Sequence, residues 1–187
     1  MPDVAANEAK FRQVFDEHFD SITRYCFRRL TANQSNDAAA NVFAVAWRKI
    51  DQLPDDDHAL LWLYGVARNE ISTFRRSLRR AASLRSKLAW QPTYPEPGPE
   101  TVVVRNAEQA GILEALGTLN HSDQEILRLR AYEGLTLNEI SIAVGCSPEA
   151  AKKRSARAMK RLHKAADHVM RSDRSHDARA IPKGGDA

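Results

Sequence analysis

The sequence predicts an all-α protein made of two small helical domains joined by a proline-rich linker. Apolar residues recur every three or four positions over most of the chain, which is the spacing of an amphipathic helix. The stretch WQPTYPEPGPET holds four prolines and one glycine and cannot continue a helix. With 187 residues and 43% hydrophobic content, the chain is long enough to bury a core on each side of that linker.

The first half of the chain predicts three helices. Residues 1–8 are expected to be disordered, and an amphipathic helix follows over residues 9–30. After a polar connector, TANQSN, Asp37 opens the second helix. The third begins at about Ala59, because Pro54 and the three aspartates after it interrupt the apolar pattern and suit a helix cap. The buried stripe of the second helix is predicted to consist of Ala39, Val42, Phe43, Ala46 and Ile50.

The end of the third helix is strongly basic. Between Arg75 and Trp90 the sequence has six Arg or Lys residues and no acid. Such a run complements the negative end of the helix dipole and also attracts phosphate, so both interpretations stay open. The predicted first domain covers residues 9–84 and the linker covers residues 85–106.

The second domain, residues 107–169, is built around a helix-turn-helix. Thr136 and Glu139 have the spacing of a capping box at the start of its first helix. Gly145 suits the turn, since glycine adopts positive φ without strain, and Ser147 is a good N-cap for the second helix. The second helix has a predicted apolar seam of Ala151, Ser155, Ala158, Leu162, Ala165 and Val169.

Two further segments flank the helix-turn-helix. Ser122 and Glu125 have capping-box spacing and are predicted to begin a supporting helix ahead of it. Residues 170–187 are polar, with Gly and Pro, and are predicted to form a disordered tail.

The second helix of the helix-turn-helix is the most basic element of the chain. Residues 147–164 contain seven basic residues and one acidic residue, Glu149. In a helix-turn-helix this helix enters the major groove, where its side chains contact bases and phosphates. A solvated surface helix is the simpler alternative. The turn chemistry together with the charge favours DNA binding by the face that carries Lys152, Lys153, Arg157, Lys160 and Lys164.

Several function classes receive no support from the sequence. No apolar run approaches the roughly 20 residues that cross a bilayer, and the N-terminus lacks the apolar core of a signal peptide, so we expect a cytoplasmic protein without membrane insertion. Cys26 and Cys146 lie too far apart in sequence to suggest a metal or redox motif and are predicted to be buried, reduced thiols. No glycine loop or nucleophile arrangement indicates an enzyme or a cofactor.

Two blocks of sequence, in this order, resemble the extracytoplasmic-function (ECF) group of sigma-70-type sigma factors. Residues 41–80 are similar to the family's core-binding and promoter-melting domain, region 2, and the run WLYGVARN at residues 62–69 is its most specific piece. Residues 122–162 are similar to the promoter-recognition domain, region 4. The resemblance implies two all-α domains that bind RNA polymerase core and direct it to promoters, with the chemistry of RNA synthesis left to the polymerase.

The resemblance also implies DNA-contacting residues. In region 4 the second helix of the helix-turn-helix reads the minus-thirty-five element, with Lys153 and Arg157 as the leading base readers. Arg154 is expected nearer the apolar seam, where it either packs its stem or holds a phosphate. The matching positions are Lys152, Lys153, Arg154, Ala156, Arg157 and Lys160.

In region 2 the family reads the minus-ten element as single-stranded DNA, with one base held in a pocket of the loop that here spans residues 51–58. Trp47 and Trp62 suit either base stacking or core packing, and both options stay open. The candidate residues for this element are Asp51, Leu53, Trp62, Arg68, Asn69, Arg75 and Arg76.

Core binding in the family uses the helix that is predicted here from Asp37 to Ile50. The sequence departs from the usual pattern, since Ala38 and Ala40 replace acidic or amide residues, so apolar packing is expected to contribute more. The candidate residues are Asp37, Asn41, Val45 and Arg48. The implied partners are the largest and beta subunits of the polymerase core, promoter DNA and an anti-sigma protein.

Two other classes of protein compete with a sigma factor. A helix-turn-helix regulator acting on duplex DNA without core polymerase would leave the basic run after Phe74 without a clear use. An interaction protein that sequesters a sigma factor would have no use for a strongly basic second helix. The sequence therefore favours the sigma factor.

Overall fold

The computed structural model describes residues 4–56, 58–87 and 107–177. Those residues contain no β-strand, which agrees with the predicted all-α class. The helices are α1 (Val4–Phe27), α2 (Ala32–Arg48), α3 (His58–Lys87), α4 (Ala107–Thr118), α5 (His121–Ala131), α6 (Leu137–Val144) and α7 (Pro148–Asp177), with a 3₁₀ turn at Ile50–Gln52. They fall into two compact units. Helices α1 to α3 form the first, and α4, α5, α7 and most of α6 belong to the second, while the segment Ile142–Gly145 is grouped with the first.

In the first unit, α1, α2 and α3 pack around a shared apolar core. Ile22 and Tyr25 from α1, Val42 from α2, and Leu63 from α3 are fully shielded from solvent. The Tyr25 ring lies 5.1 Å from the ring of Tyr64 on α3. All five residues predicted for the buried stripe of α2 are buried, so the periodicity identified the face of this helix correctly.

The helix starts in the first unit differ from the predictions. Helix α1 begins at Val4, inside the segment that was expected to be disordered. Helix α2 begins at Ala32, five positions before Asp37. Its N-cap is Thr31, whose backbone N–H donates to the Gln34 side chain at 3.3 Å. The residues interpreted as a polar connector are therefore the first turn of the helix, where polar side chains act as caps.

Two helices also continue past their predicted ends. Helix α3 extends to Lys87, three residues into the predicted linker, and residues 88–106 lie outside the described residues. Helix α7 extends to Asp177, so the prediction of disorder is wrong for residues 170–177. At the start of this extension, Val169 and Met170 lie against Gly111 of α4. Residues 178–187 lie outside the described residues.

The two cysteines are both free thiols. Cys26 is fully buried, and this burial raises its pKa to about 12, so the thiol stays protonated at neutral pH. Cys146, in the turn after α6, is half-buried, so the prediction of burial holds fully only for Cys26.

In the second unit, α4 and α5 support α7. Leu116 of α4 and Leu127 of α5 form a buried cluster with Ala158 of α7, and Leu119 and Leu162 pack against it. Because alanine has the smallest apolar side chain, the backbone of α7 lies close to the two leucines. The central part of α7 is thereby held by apolar contacts on one face and remains accessible on the other.

The start of α5 corrects one prediction. Its N-cap is Asn120, whose Oδ1 accepts a hydrogen bond from the backbone N–H of Asp123 at 3.0 Å. The Asn120 amide also donates to Asp123 Oδ2 at 2.7 Å. Ser122 lies within the first turn and is not the cap. Asparagine caps a helix as well as serine does, and here it has a carboxylate partner three residues later.

Candidate nucleic-acid interface

The first helix of the helix-turn-helix begins with the predicted capping box. The backbone N–H of Thr136 donates to Glu139 Oε2 at 2.7 Å, and the Thr136 hydroxyl accepts from the Glu139 backbone N–H at 3.3 Å. The Thr136 hydroxyl also donates to the same carboxylate at 2.6 Å. Two otherwise unpaired N–H groups at the start of α6 are therefore satisfied, which confirms the prediction.

These hydrogen bonds make the stability of the cap pH-dependent. They lower the pKa of Glu139 below its ordinary value of 4.5, first through the Thr136 hydroxyl and second through the Thr136 backbone N–H. A carboxylate whose pKa is lowered by folding stabilises the folded state above its unfolded pKa. This contribution is lost as the pH falls through the lowered value.

Replacing Thr136 with alanine is expected to lower the free energy of unfolding by about 1 kcal/mol, because one N–H at the start of α6 loses its acceptor. Urea unfolding at pH 7 measures this effect. Glu139→Gln should flatten the dependence of stability on pH below 4.5, since an amide does not titrate in this range. Ser72→Ala on the exposed face of α3 is the control, and an equal loss there would contradict a specific role for the cap.

The turn between α6 and α7 also follows its predicted chemistry. Gly145 has a φ of 68°, in the left-handed region that glycine adopts without strain. The backbone N–H of Cys146 then donates to the Ser141 carbonyl at 2.9 Å, which closes the end of α6. At the start of α7, the Ser147 hydroxyl accepts from the Ala150 N–H at 3.2 Å. The direction in which α7 leaves the turn is therefore set by local hydrogen bonds.

Long-range contacts hold α7 in place. Ala151, Ser155 and Ala158 are buried at four- and three-residue steps, as the predicted seam requires. Beyond them, Arg161 forms an ion pair with Asp123 of α5, whose side chain is only 9% exposed. The same carboxylate accepts from the α5 N-cap, so the position of α7 is linked to the capping network of the supporting helix.

All the residues predicted to read the minus-thirty-five element are exposed on α7. Arg157 donates from Nε to the Lys153 carbonyl at 3.3 Å, so its side chain lies along the helix surface one turn back. Arg154, which was expected nearer the seam, is also exposed. The exposed set comprises Lys152, Lys153, Arg154, Ala156, Arg157 and Lys160.

In the first unit, the loop between α2 and α3 has exposed acidic side chains and one buried apolar side chain. Asp51 is exposed, whereas Leu53 is 3% exposed, so Leu53 packs into the core and its predicted contact with DNA is not supported. Asp56 caps α3, since its Oδ1 accepts from the His58 backbone N–H at 3.0 Å and its Oδ2 lies 2.9 Å from His58 Nδ1. These two hydrogen bonds, the side-chain one first, lower the pKa of Asp56.

Helix α3 presents a polar face that follows this loop. Trp62, Asn69 and Arg76 recur every seven residues and therefore lie along one side of the helix. Asn69 and Arg76 are exposed and Trp62 is half-buried, so part of the indole is accessible for stacking. Arg76 donates to the Thr73 hydroxyl at 3.3 Å. Arg68, beside this face, is half-buried.

Arg75 has a structural contact that the sequence did not indicate. Its guanidinium donates to the carbonyl of Arg29, in the turn after α1, at 3.1 Å. The Arg29 guanidinium itself is buried and lies 3.5 Å from the centroid of the Tyr25 ring, and it donates to the Tyr25 carbonyl at 3.0 Å. Arg75 therefore connects α3 to the end of α1, which limits its freedom to contact DNA.

The comparison with known protein families gives a direct match to the second unit. The family model described as sigma-70, region 4, matches residues 115–164. Over 134 residues the chain is 30% identical to the RNA polymerase sigma factor NccH of Alcaligenes xylosoxydans xylosoxydans, in an alignment that covers 68% of this chain and 70% of NccH. This chain belongs to the ECF group of sigma-70-type sigma factors.

Other relatives support the same assignment. The ECF RNA polymerase sigma factor BldN of Streptomyces coelicolor is 26% identical over 154 residues, which cover 81% of this chain and 58% of BldN. The crystal structure of the sigma factor RpoE from Bartonella quintana, in complex with the anti-sigma factor NepR, has a TM-score of 0.61 and covers 84% of this chain and 96% of RpoE, with 18% identity. The similarity to RpoE confirms the fold, and the similarity to BldN favours a sigma factor over a duplex-binding regulator.

In this sigma factor the residues predicted for core binding share one face of α2. Asp37, Asn41 and Arg48 are exposed and Val45 is half-buried, at four- and three-residue steps opposite the buried stripe. Trp47 lies outside that stripe, is 42% exposed and packs edge-on against Phe11 of α1, with ring centroids 5.3 Å apart. Trp47 therefore extends an aromatic surface between α1 and α2.

Two residues that hold α7 and the loop before α3 in place have no signal in the local sequence. Asp123 holds α7 through Arg161, and Lys10 contacts the loop before α3. Their partners lie 38 and 43 residues away in the chain, so no local pattern signals either contact.

The described part of the sigma factor shows no membrane or metal site. None of its helices combines the length and the apolar character needed to span a bilayer. Within residues 4–56, 58–87 and 107–177, no group of three or more His, Cys, Asp or Glu side chains is arranged to hold a metal ion.

Proposed function

We propose that this ECF sigma factor acts as a transcription initiation factor rather than as an enzyme: it binds RNA polymerase core through the largest and beta subunits and directs it to specific promoters. The observation that carries the proposal is the exposed basic face of α7, on a helix that is held by its opposite face. The match to region 4 covers this helix as far as Lys164.

The dimensions of this face suit the major groove of duplex DNA. Lys152 and Lys160 are eight residues apart, so the face is about 12 Å long, close to the width of the groove. Lys153 and Arg157 lie one turn apart near its centre and are proposed to contact base edges of the minus-thirty-five element. The outer basic residues then contact phosphates, which fixes the register of the helix on the DNA.

The minus-ten element is proposed to bind the loop after α2 and the adjoining face of α3. Trp62 offers part of its ring for stacking, and Asn69 and Arg76 present hydrogen-bond donors along the same side of the helix. Arg68 adds positive charge beside them. Because a flipped base must lose its stacking in the duplex, a loop of defined shape lowers the cost of holding it.

The core polymerase is proposed to bind the exposed face of α2. That face carries one acid, Asp37, one amide, Asn41, and one base, Arg48, around the half-buried Val45. Since RpoE is known in complex with the anti-sigma factor NepR, we also propose an anti-sigma protein as a partner of this chain. Such a partner would compete with core polymerase or DNA for these surfaces.

Run-off transcription tests the proposed function. Core polymerase is incubated with this protein on fragments of the source genome, and the transcripts are compared with those from core alone. Discrete transcripts that require the protein are expected. A protein that binds duplex DNA alone but gives core no promoter specificity would contradict the proposal and support the regulator.

A further inference from the structure

We propose that Lys10 of α1 is a positioning residue for the loop before α3, so that recognition of single-stranded promoter DNA depends on a side chain outside both resembled blocks. This inference rests on the proposed function for its consequence in transcription. Its structural part stands on the contacts of Lys10 alone.

Lys10 contacts the loop at two points. Its Nζ donates to the backbone carbonyl of Leu53 and forms an ion pair with Asp55 Oδ1 at 2.6 Å. The Lys10 side chain is 23% exposed, whereas the Asp55 side chain is 85% exposed. The Lys10 ammonium group is therefore partly shielded from water. Its charge-assisted hydrogen bonds to the loop are stronger there than they would be on the open surface.

Lys10 also completes the anchoring of the loop. The Leu53 side chain packs into the core, and Asp56 caps α3 through His58, so both ends of the loop are held by other groups. Between them, Lys10 restrains the stretch from Leu53 to Asp55. A loop that is restrained at three points loses less conformational entropy when it encloses a base.

The charge of Lys10 provides a second reason for its role. Residues 51–57 contain four aspartates and no basic residue. Such a loop repels the phosphates of an approaching strand. An ammonium group in contact with Asp55 offsets one of these charges at short range, which permits DNA to approach the loop.

A cavity lies between α1 and the loop, at the point where Lys10 contacts Asp55. It has a volume of about 420 Å³, and Lys10 and Asp55 line it together with Gln13, Glu17 and His18. Glu17 and Asp55 both line this cavity. Without the Lys10 ammonium group, the repulsion between their carboxylates would be less well offset. The loop is then expected to move away from α1.

Lys10→Met tests the proposal, because it keeps the length of the side chain and removes the charge and the donors. Amide hydrogen exchange of residues 51–56 in the free, full-length protein is expected to become about tenfold faster. Promoter opening by the holoenzyme should fall by a similar factor and lose base preference within the minus-ten element, while core binding and thermal unfolding stay unchanged. Lys10→Arg should restore both properties.

Lys49→Met is the matched control, since Lys49 is an exposed lysine next to the same loop. Unchanged exchange in Lys10→Met would overturn the anchoring role. Faster exchange with wild-type opening and base preference would overturn the role in promoter recognition. If the wild-type protein opens no promoter with core polymerase, the proposed function fails, and the exchange data still decide whether Lys10 positions the loop.

Discussion

Replacement of both Lys153 and Arg157 with alanine is expected to lower promoter-specific transcription by about a hundredfold. Each side chain is exposed on α7 and has the length to reach a guanine edge in the major groove. One such contact provides about 1 to 3 kcal/mol of discrimination, and about 1.4 kcal/mol corresponds to a factor of ten. Run-off transcription with saturating core polymerase measures the effect.

The pattern of the loss identifies the role of the two residues. If they read bases, the double variant should retain binding to core and should lose its preference between the correct and an altered minus-thirty-five element. A control variant, Arg24→Ala with Lys49→Ala, removes the same charge from exposed positions in the first unit. An equal loss in this control would show that net charge, and not base contact, governs the activity.

Ala158→Asp is expected to unfold the second unit. Ala158 is fully buried and packs against Leu116 and Leu127, so the new carboxylate would be removed from water among apolar side chains. Burial of an unpaired charge costs more than about 4 kcal/mol, which approaches the whole stability of a small domain. Circular dichroism should show loss of helix and a transition at lower temperature, and binding to minus-thirty-five duplex should be abolished.

Ala156→Asp provides a matched comparison, since it introduces the same side chain two residues away on the exposed face of α7. Its thermal unfolding should stay close to that of the wild-type protein, although DNA binding should weaken because an acid now lies among the basic residues. Similar unfolding curves for the two variants would contradict the assigned burial of Ala158.

The helix-turn-helix shows how much of a site the sequence can specify. Thr136 with Glu139, Gly145 and Ser147 were each assigned from residues at most four positions apart, and each has the predicted conformation or hydrogen bond. The face of α7 followed equally well from its period of 3.6 residues. Helix limits were less accurate, because α1 and α7 extend beyond the segments in which apolar residues recur.

The minus-ten region shows where local patterns fail. Leu53 and Arg75 were both predicted to contact DNA, yet Leu53 is buried and Arg75 donates to the Arg29 carbonyl. Nothing within a few residues of Arg75 distinguishes an arginine that binds phosphate from one that binds a distant carbonyl. The resemblance to a family predicted the region as a whole and did not assign a role to each side chain.

The sequence alone determined the helical class, the two capped helices of the helix-turn-helix and the basic face of the second, because periodicity, capping and turn geometry act over three to five residues. Only the tertiary structure decided which charged residues are free to bind a partner. Lys10 with Asp55 and Asp123 with Arg161 are charged residues that pair with each other inside the fold. Such contacts join helices whose relative positions depend on the packing of the whole core, which no short stretch of sequence encodes.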